Sequence, residues 1–231
     1  DVEGTTIHIF ALTKTNIRYD SQSTYCSSIA ESGYCYAWLS IGSNGVRASQ
    51  LAVDYPSVYF TQFEVIQSNA YLYGSSTDIV NNNEYSTNFT GTMVFNNDSA
   101  YAAVLASLSS NGNWRYVKEN YLPASDWAQV SNPVYEEDGS AYYLTHQNSG
   151  YPLTGYFDGN SISNYSSSQE FTIVRIDSLG NYQWHTGLGT DDYEMDLENF
   201  WTNVYISDSG YFVMSMYSDG PIQAQGHQTT A

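Results

Sequence analysis

At 231 residues the chain is long enough to bury a core as one large all-β domain or two ordinary domains, so length leaves the domain count open. The formal net charge of −18, from 24 acidic against six basic side chains, removes the positive footprint that grips phosphate backbones. It also repels anionic lipid headgroups and attracts cations such as calcium, and no apolar run approaches the roughly 20 residues of a membrane-spanning helix.

The first element in chain order, "VEGTTIHIFALT", reads as a hairpin with Gly4 in the turn and Ile7 to Leu12 as a strand. The chain starts at Asp1 with no methionine and no charged-then-apolar leader, which reads as a processed product. Cys26 and Cys35 follow in "CSSIAESGYC", with Gly33 between them. A short loop of this kind closes readily as a disulfide in an exporting compartment, the alternative being two reduced, buried thiols.

Next comes "YAWLSIGSNGV", an apolar strand, a Ser-x-Gly turn and a second strand, and it returns as "AVLASLSSNGNW" and "TIVRIDSLGNYQW". The turn glycines Gly45, Gly112 and Gly180 are 67 and 68 residues apart. A second hairpin pattern follows each copy: "FEVIQSNAYLYGSS", "NPVYEEDGSAYYLTHQ" and "TNVYISDSGYFVMSMYS". Its marks Tyr71, Tyr142 and Tyr211 are spaced 71 and 69, so two independent marks keep one period. The units run over about 36–75, 101–147 and 171–217, separated by Ser/Asn/Tyr-rich inserts at 77–99 and 148–169. "SAYAAVLASL" has the best helical propensity in the chain, but its match to the other two copies predicts a strand.

These residues resemble the beta-propeller repeats of secreted and cell-surface proteins, in which a strand is followed by "D-x-x-G-N-x-x-W", a bend and "D-x-x-G-x-x-Y/V-V-x-G". The likeness is best over Phe171 to Tyr217, fair over Tyr101 to Gln147 and weakest over Tyr36 to Ser75. It implies an all-β fold of propeller-like, four-stranded antiparallel blades, with about three complete units of ~68 residues and partial units at the termini. Propellers ordinarily close with about four to eight blades. The shortfall leaves three readings open: a longer parent chain, a fourth blade shared between the termini, or sheets completed by partner chains. The resemblance brings no catalytic residues with it.

Three glycosylation sequons, at Asn88, Asn97 and Asn164, fall in the polar inserts and point to export and an extracellular or cell-surface location. "GTDDYEMDLEN" places Asp191, Asp192, Glu194, Asp196 and Glu198 close enough to ligate calcium if the backbone folds around them, the alternative being a solvated acidic loop. Tyr34, Tyr36, Trp38, Trp114 and Trp127 are the aromatics available to stack on sugar rings, although most are expected to pack between sheets. In "DSLGNYQW" the spacing rejects a sialidase-type Asp box, and Asp177 is expected to bond backbone amides of its own turn. Glu136, Glu137 and Asp138 sit at a hairpin tip, which favours solvated acids over a glycosidase pair. Gly187 and Gly189 in "TGLGT" read as a bend between strands.

The leading expectation is therefore a non-enzymatic secreted structural or interaction subunit of a filament, appendage or surface layer. Its partners are copies of itself or related subunits, with no nucleic acid and no membrane span. A glycan- or protein-binding adhesin or lectin-like module is the alternative, and a secreted glycoside hydrolase or lyase is the third reading. Propellers host all three roles, so fold alone does not choose.

Overall fold

The structure is a computed structural model that describes residues 2–4, 6–13, 17–19, 22–24, 35–42, 45–49, 58–76, 84–87, 91–94, 102–110, 113–121, 128–130, 133–147, 154–157, 160–163, 170–190, 204–206, 212–214, 222–224 and 227–228. It is all-β, built of open antiparallel sheets, with no helix among the described residues. Among the described residues no helix is long and apolar enough to cross a membrane. The chain forms two compact units, Asp1–Ala100 with Val104–Lys118, and Tyr101–Ala103 with Glu119–Ala231.

In the first unit, β1 (Val2–Glu3) and β2 (Thr6–Thr13) form the N-terminal hairpin, and Gly4 takes φ 60° in its turn as expected. A small hairpin, β3 (Ile17–Tyr19) and β4 (Gln22–Thr24), precedes β5 (Cys35–Gly42) and β6 (Gly45–Ser49). The first sheet has the order β1-β2-β5-β6. Then come β7 (Val58–Ile66) and β8 (Asn69–Ser76), the separate hairpin of β9 (Glu84–Thr87) and β10 (Gly91–Val94), and β11 (Ala102–Leu108) with β12 (Trp114–Tyr121). The second sheet runs β7-β8-β11-β12.

In the second unit the last residues of β12, Asn120 and Tyr121, pair with β16 (Thr154–Phe157), which pairs with β17 (Asn160–Ser163). The third sheet gathers β13 (Ala128–Val130) and β14 (Val134–Tyr135) on β15 (Ala141–Gln147), then β18 (Glu170–Ile176) and β19 (Tyr182–Thr190). A further hairpin, β20 (Val204–Ile206) with β21 (Phe212–Met214), follows. The third sheet is completed by β22 (Ile222–Ala224) and β23 (His227–Gln228).

The repeat is present, but the sheets are out of frame with the sequence units. Each four-stranded meander joins the second hairpin of one unit to the first hairpin of the next, through β2–β5, β8–β11 and β15–β18. The first hairpin and second hairpin of a single unit, such as β5-β6 and β7-β8, lie in different sheets. Sequence spacing measures the period but not its phase, because every strand has the same alternating pattern.

Tertiary packing explains the strand at "SAYAAVLASL". Ala103 to Leu108 are all buried, and a strand covered on both faces reads as an uninterrupted apolar run that mimics a helix in propensity. Gly187 and Gly189 do not form the expected bend either. Both lie inside β19, opposite Thr172 and Glu170, and the ladder runs on through them.

An aromatic cluster in the first unit fastens its two sheets. Phe10 stacks on Tyr36 and on Phe63, each at 5.1 Å, while Phe60 meets Tyr36 edge-on at 5.4 Å. A register shift between Phe60 and Gln62 interrupts the β7–β8 ladder, and the Phe60 amide donates to the Tyr36 hydroxyl at 2.9 Å. The buried tyrosine thus packs its ring and satisfies its polar tip in one contact.

The β7–β8 turn is less well matched to its residues. Gln67 and Ser68 both hold positive φ, 49° and 62°, the conformation of a two-residue type I′ turn that suits Asn-Gly. Substituting Ser68→Gly is expected to raise stability by about 0.5–1 kcal/mol, because a Cβ is strained in that region. The urea midpoint of the variant against the parent measures it.

Candidate functional site

The best-defined cluster of chemically capable side chains lies on one face of the third sheet. Its geometry starts at the β14–β15 turn, where the Glu136 amide donates to the Ser140 carbonyl at 2.7 Å and the Gly139 amide donates to the Glu136 carbonyl at 2.9 Å. Gly139 takes φ 86°, and Asp138 Oδ1 accepts the Ser140 amide at 2.8 Å. Asp138 is therefore a turn-forming acid, and Glu136 is turned toward the strands.

Arg175 on β18 reaches Glu136 through Nη2–Oε2 at 2.7 Å, with the two side chains 33% and 23% exposed. The register places Arg175 opposite both Tyr142 on β15 and Trp184 on β19. Its guanidinium lies 5.2 Å from the centre of the Tyr142 ring, and Tyr142 meets Trp184 edge-on at 6.0 Å. Burial raises the Tyr142 phenol above its ordinary range, reinforced by the charge of Glu136 and the hydrogen bond to it, while Arg175 pulls the other way. Trp184 is 40% exposed. Tyr142 itself is buried, so the cluster offers one exposed indole, Trp184, beside a paired cation and carboxylate, able to stack against a ring or an apolar face and to fix a polar group at its rim.

Nearby, the Tyr182 hydroxyl and His185 Nδ1 are 2.6 Å apart, and burial lowers the His185 pKa. Asp177 is consumed by its own turn, as expected. Its Oδ1 accepts the Leu179 and Asn181 amides at 2.9 and 2.8 Å, and its Oδ2 accepts Asn181 Nδ2 at 3.0 Å and Gln183 Nε2 at 3.2 Å. Gly180 supplies the left-handed residue, φ 76°.

Equivalent positions in the first unit are occupied by related groups, of which His8, Tyr71 and Ser107 are buried and Ser40 and Arg115 half-buried. Ser40, Ser107 and Arg175 recur at the glycine spacing, on the third strand of each meander. Ser40 lies opposite His8, and its hydroxyl is 2.9 Å from His8 Nδ1. Arg115 Nη1 donates to the Tyr71 hydroxyl at 2.8 Å and to Ser107 Oγ at 3.3 Å, with the guanidinium 5.7 Å from the Tyr71 ring centre. Tyr71 and Tyr142, picked out as repeat marks, thus both lie beneath an arginine. The arginine comes from β12 in one sheet and from β18 in the other, so no sequence period reveals it.

Of the sugar-stacking set, Tyr36, Trp38 and Trp114 are described. Tyr36 and Trp38 are 2% and 1% exposed inside the first unit's core, and Trp114 packs against that core. The rings of Tyr36 and Trp38 are enclosed by neighbouring side chains, which leaves neither free for a sugar. Tyr34 and Trp127 lie outside the described residues, as do Cys26, the sequons Asn88, Asn97 and Asn164, and the acidic run Asp191, Asp192, Glu194, Asp196 and Glu198. Cys35 opens β5 opposite Thr13. Among the described residues no group of three His, Cys, Asp or Glu side chains is placed to hold a metal. Trp184, which the sugar-stacking set leaves out, is the exposed aromatic of the cluster, on the same face of the third sheet as the buried Tyr142. No protein-family model matches the chain, and no curated protein matches it.

Proposed function

We propose that this chain is a non-enzymatic structural or interaction subunit of an extracellular assembly, built from propeller-like four-stranded blades. The observation that carries this reading is the recurrence of one meander three times over, with β1, β6 and β7 as strand edges of the first unit's sheets. Such edges present unpaired backbone groups that another chain can cover. The surplus of acid keeps the isolated subunit soluble, and calcium bound by the run Asp191 to Glu198 would lower its repulsion from neighbours. Glycans on Asn88, Asn97 and Asn164 and a Cys26–Cys35 bridge fit the same setting.

The experiment is the mass of the native particle by light scattering, with and without a calcium chelator. A large or open-ended assembly is expected, with partial dissociation on chelation. A stable monomer at all concentrations overturns the reading. One observation favours a second role, a glycan-binding module: the exposed Trp184 beside Arg175 and Glu136. A glycan-array signal that is competed by free sugar and lost in Trp184→Ala supports it.

A further inference from the structure

Four apolar positions recur in each of the three meanders. They are Ile7, Ala70 and Ala141; Ile9, Leu72 and Tyr143; Leu39, Ala106 and Val174; and Ile41, Leu108 and Ile176. In the first and third sheets register puts the four positions on one face, because Ile7 pairs with Ile41 and Ile9 with Leu39, as Ala141 pairs with Ile176 and Tyr143 with Val174, and in the second sheet the four side chains share one core cluster.

In the second and third sheets these eight side chains are completely buried, all at 0% exposure. What covers the second sheet is visible inside the first unit. Ala70, Leu72, Ala106 and Leu108 belong to one cluster with Tyr36 and Trp38, which come from the opposite face of the first sheet. Within the first unit, a face of this type receives the aromatic face of the preceding sheet. In the first sheet the same face is uncovered: Ile7 is 48% and Ile9 40% exposed, and Leu39 and Ile41 are only half-buried.

We propose that the uncovered face of the first sheet docks a second copy of this chain, through the face of that copy's third sheet where the exposed Trp184 and half-buried Arg175 lie over the buried Tyr142. The repeat selects this occupant. Tyr142 and Arg175 stand at the positions of His8 and Ser40, on the face type that covers the second sheet, and Trp184 is 40% exposed there. The contact repeats an interface that already exists within the first unit and joins unlike surfaces, so it is head-to-tail and propagates into a ring or an open filament. Each copy carries −18, so the apolar contact works against like-charge repulsion, and added salt strengthens it.

This inference rests on the assembly reading and names its interface. The test is sedimentation velocity of the full chain over a range of concentration and salt, comparing the parent with Ile9→Asp, Ile9→Thr and Trp184→Ala. Self-association is expected to weaken on the order of a hundredfold in Ile9→Asp and about tenfold in Ile9→Thr. Ile9→Thr keeps a β-branched residue in the strand, so it reports on the interface even where an aspartate prevents folding. The decisive sample is a mixture of Ile9→Asp and Trp184→Ala. Each has one intact face, so together they form one-to-one dimers that do not grow. Dimers of Trp184→Ala alone would mean that the apolar face pairs with itself, and would overturn the head-to-tail assignment. Unchanged assembly in both Ile9 variants would overturn this interface while leaving the subunit reading in place, whereas a parent that is monomeric throughout would overturn both.

Discussion

Replacing Trp38 by alanine is expected to lower the unfolding free energy by roughly 3–5 kcal/mol. The indole is 1% exposed, edge-on to Phe63 at 6.2 Å, and belongs to the cluster that joins the two sheets of the first unit. Its removal leaves a void lined by Tyr36, Leu72 and their neighbours, which are already held by strand ladders and close over it only in part. The polar side of the ring matters less. Trp38 Nε1 donates to His8 Nδ1 at 3.4 Å, a long bond, and Ser40 offers that nitrogen its hydroxyl at 2.9 Å. Trp38→Phe should therefore recover most of the loss. Chemical unfolding followed by far-ultraviolet circular dichroism measures both. An alanine variant of parental stability that loses affinity for a sugar would return Trp38 to the binding surface that its sequence context first suggests.

Tyr143→Ala is expected to be comparably costly, about 3–5 kcal/mol, in the second unit. Tyr143 is fully buried, sits opposite Val174 in the β15–β18 ladder, and meets Phe157 of β16 at 5.7 Å with the rings tilted by 44°. Phe157 is itself at 0% exposure, so the two rings form a closed pair at the centre of that unit. A double-mutant cycle with Phe157→Leu should give a coupling of about 0.5–1.5 kcal/mol, the usual excess of an aromatic pair over plain area burial. Additivity of the two substitutions would show that the rings contribute only as bulk.

Both positions belong to the same repeating plan, yet one substitution lies on the aromatic face of the first sheet and the other on the apolar row of the third. Within the first unit the apolar face of the second sheet is covered, whereas that of the first sheet, with Ile7 and Ile9, is exposed, which in a solvated monomer is a liability. The large negative charge is one means of keeping such a surface from associating indiscriminately.

The sequence by itself determined the all-β class, the hairpins and their period. Alternating apolar residues and turn residues such as Gly4, Gly139 and Gly180 act within a few residues of one another, where local sterics govern. It also determined the role of Asp177, whose side-chain hydrogen bonds to Leu179, Asn181 and Gln183 close within six residues. Only the tertiary structure decided the phase of the sheets, because pairing β8 with β11 or β6 with β7 satisfies the same alternating pattern, and long-range packing chooses. It likewise decided that Tyr36 and Trp38 are core while Trp184 is exposed, since an aromatic ring looks the same in sequence whether the sheet above it is present or absent. The Glu136–Arg175–Tyr142 cluster brings together residues 39 positions apart through strand register, and no short motif encodes a contact that depends on which strands become neighbours.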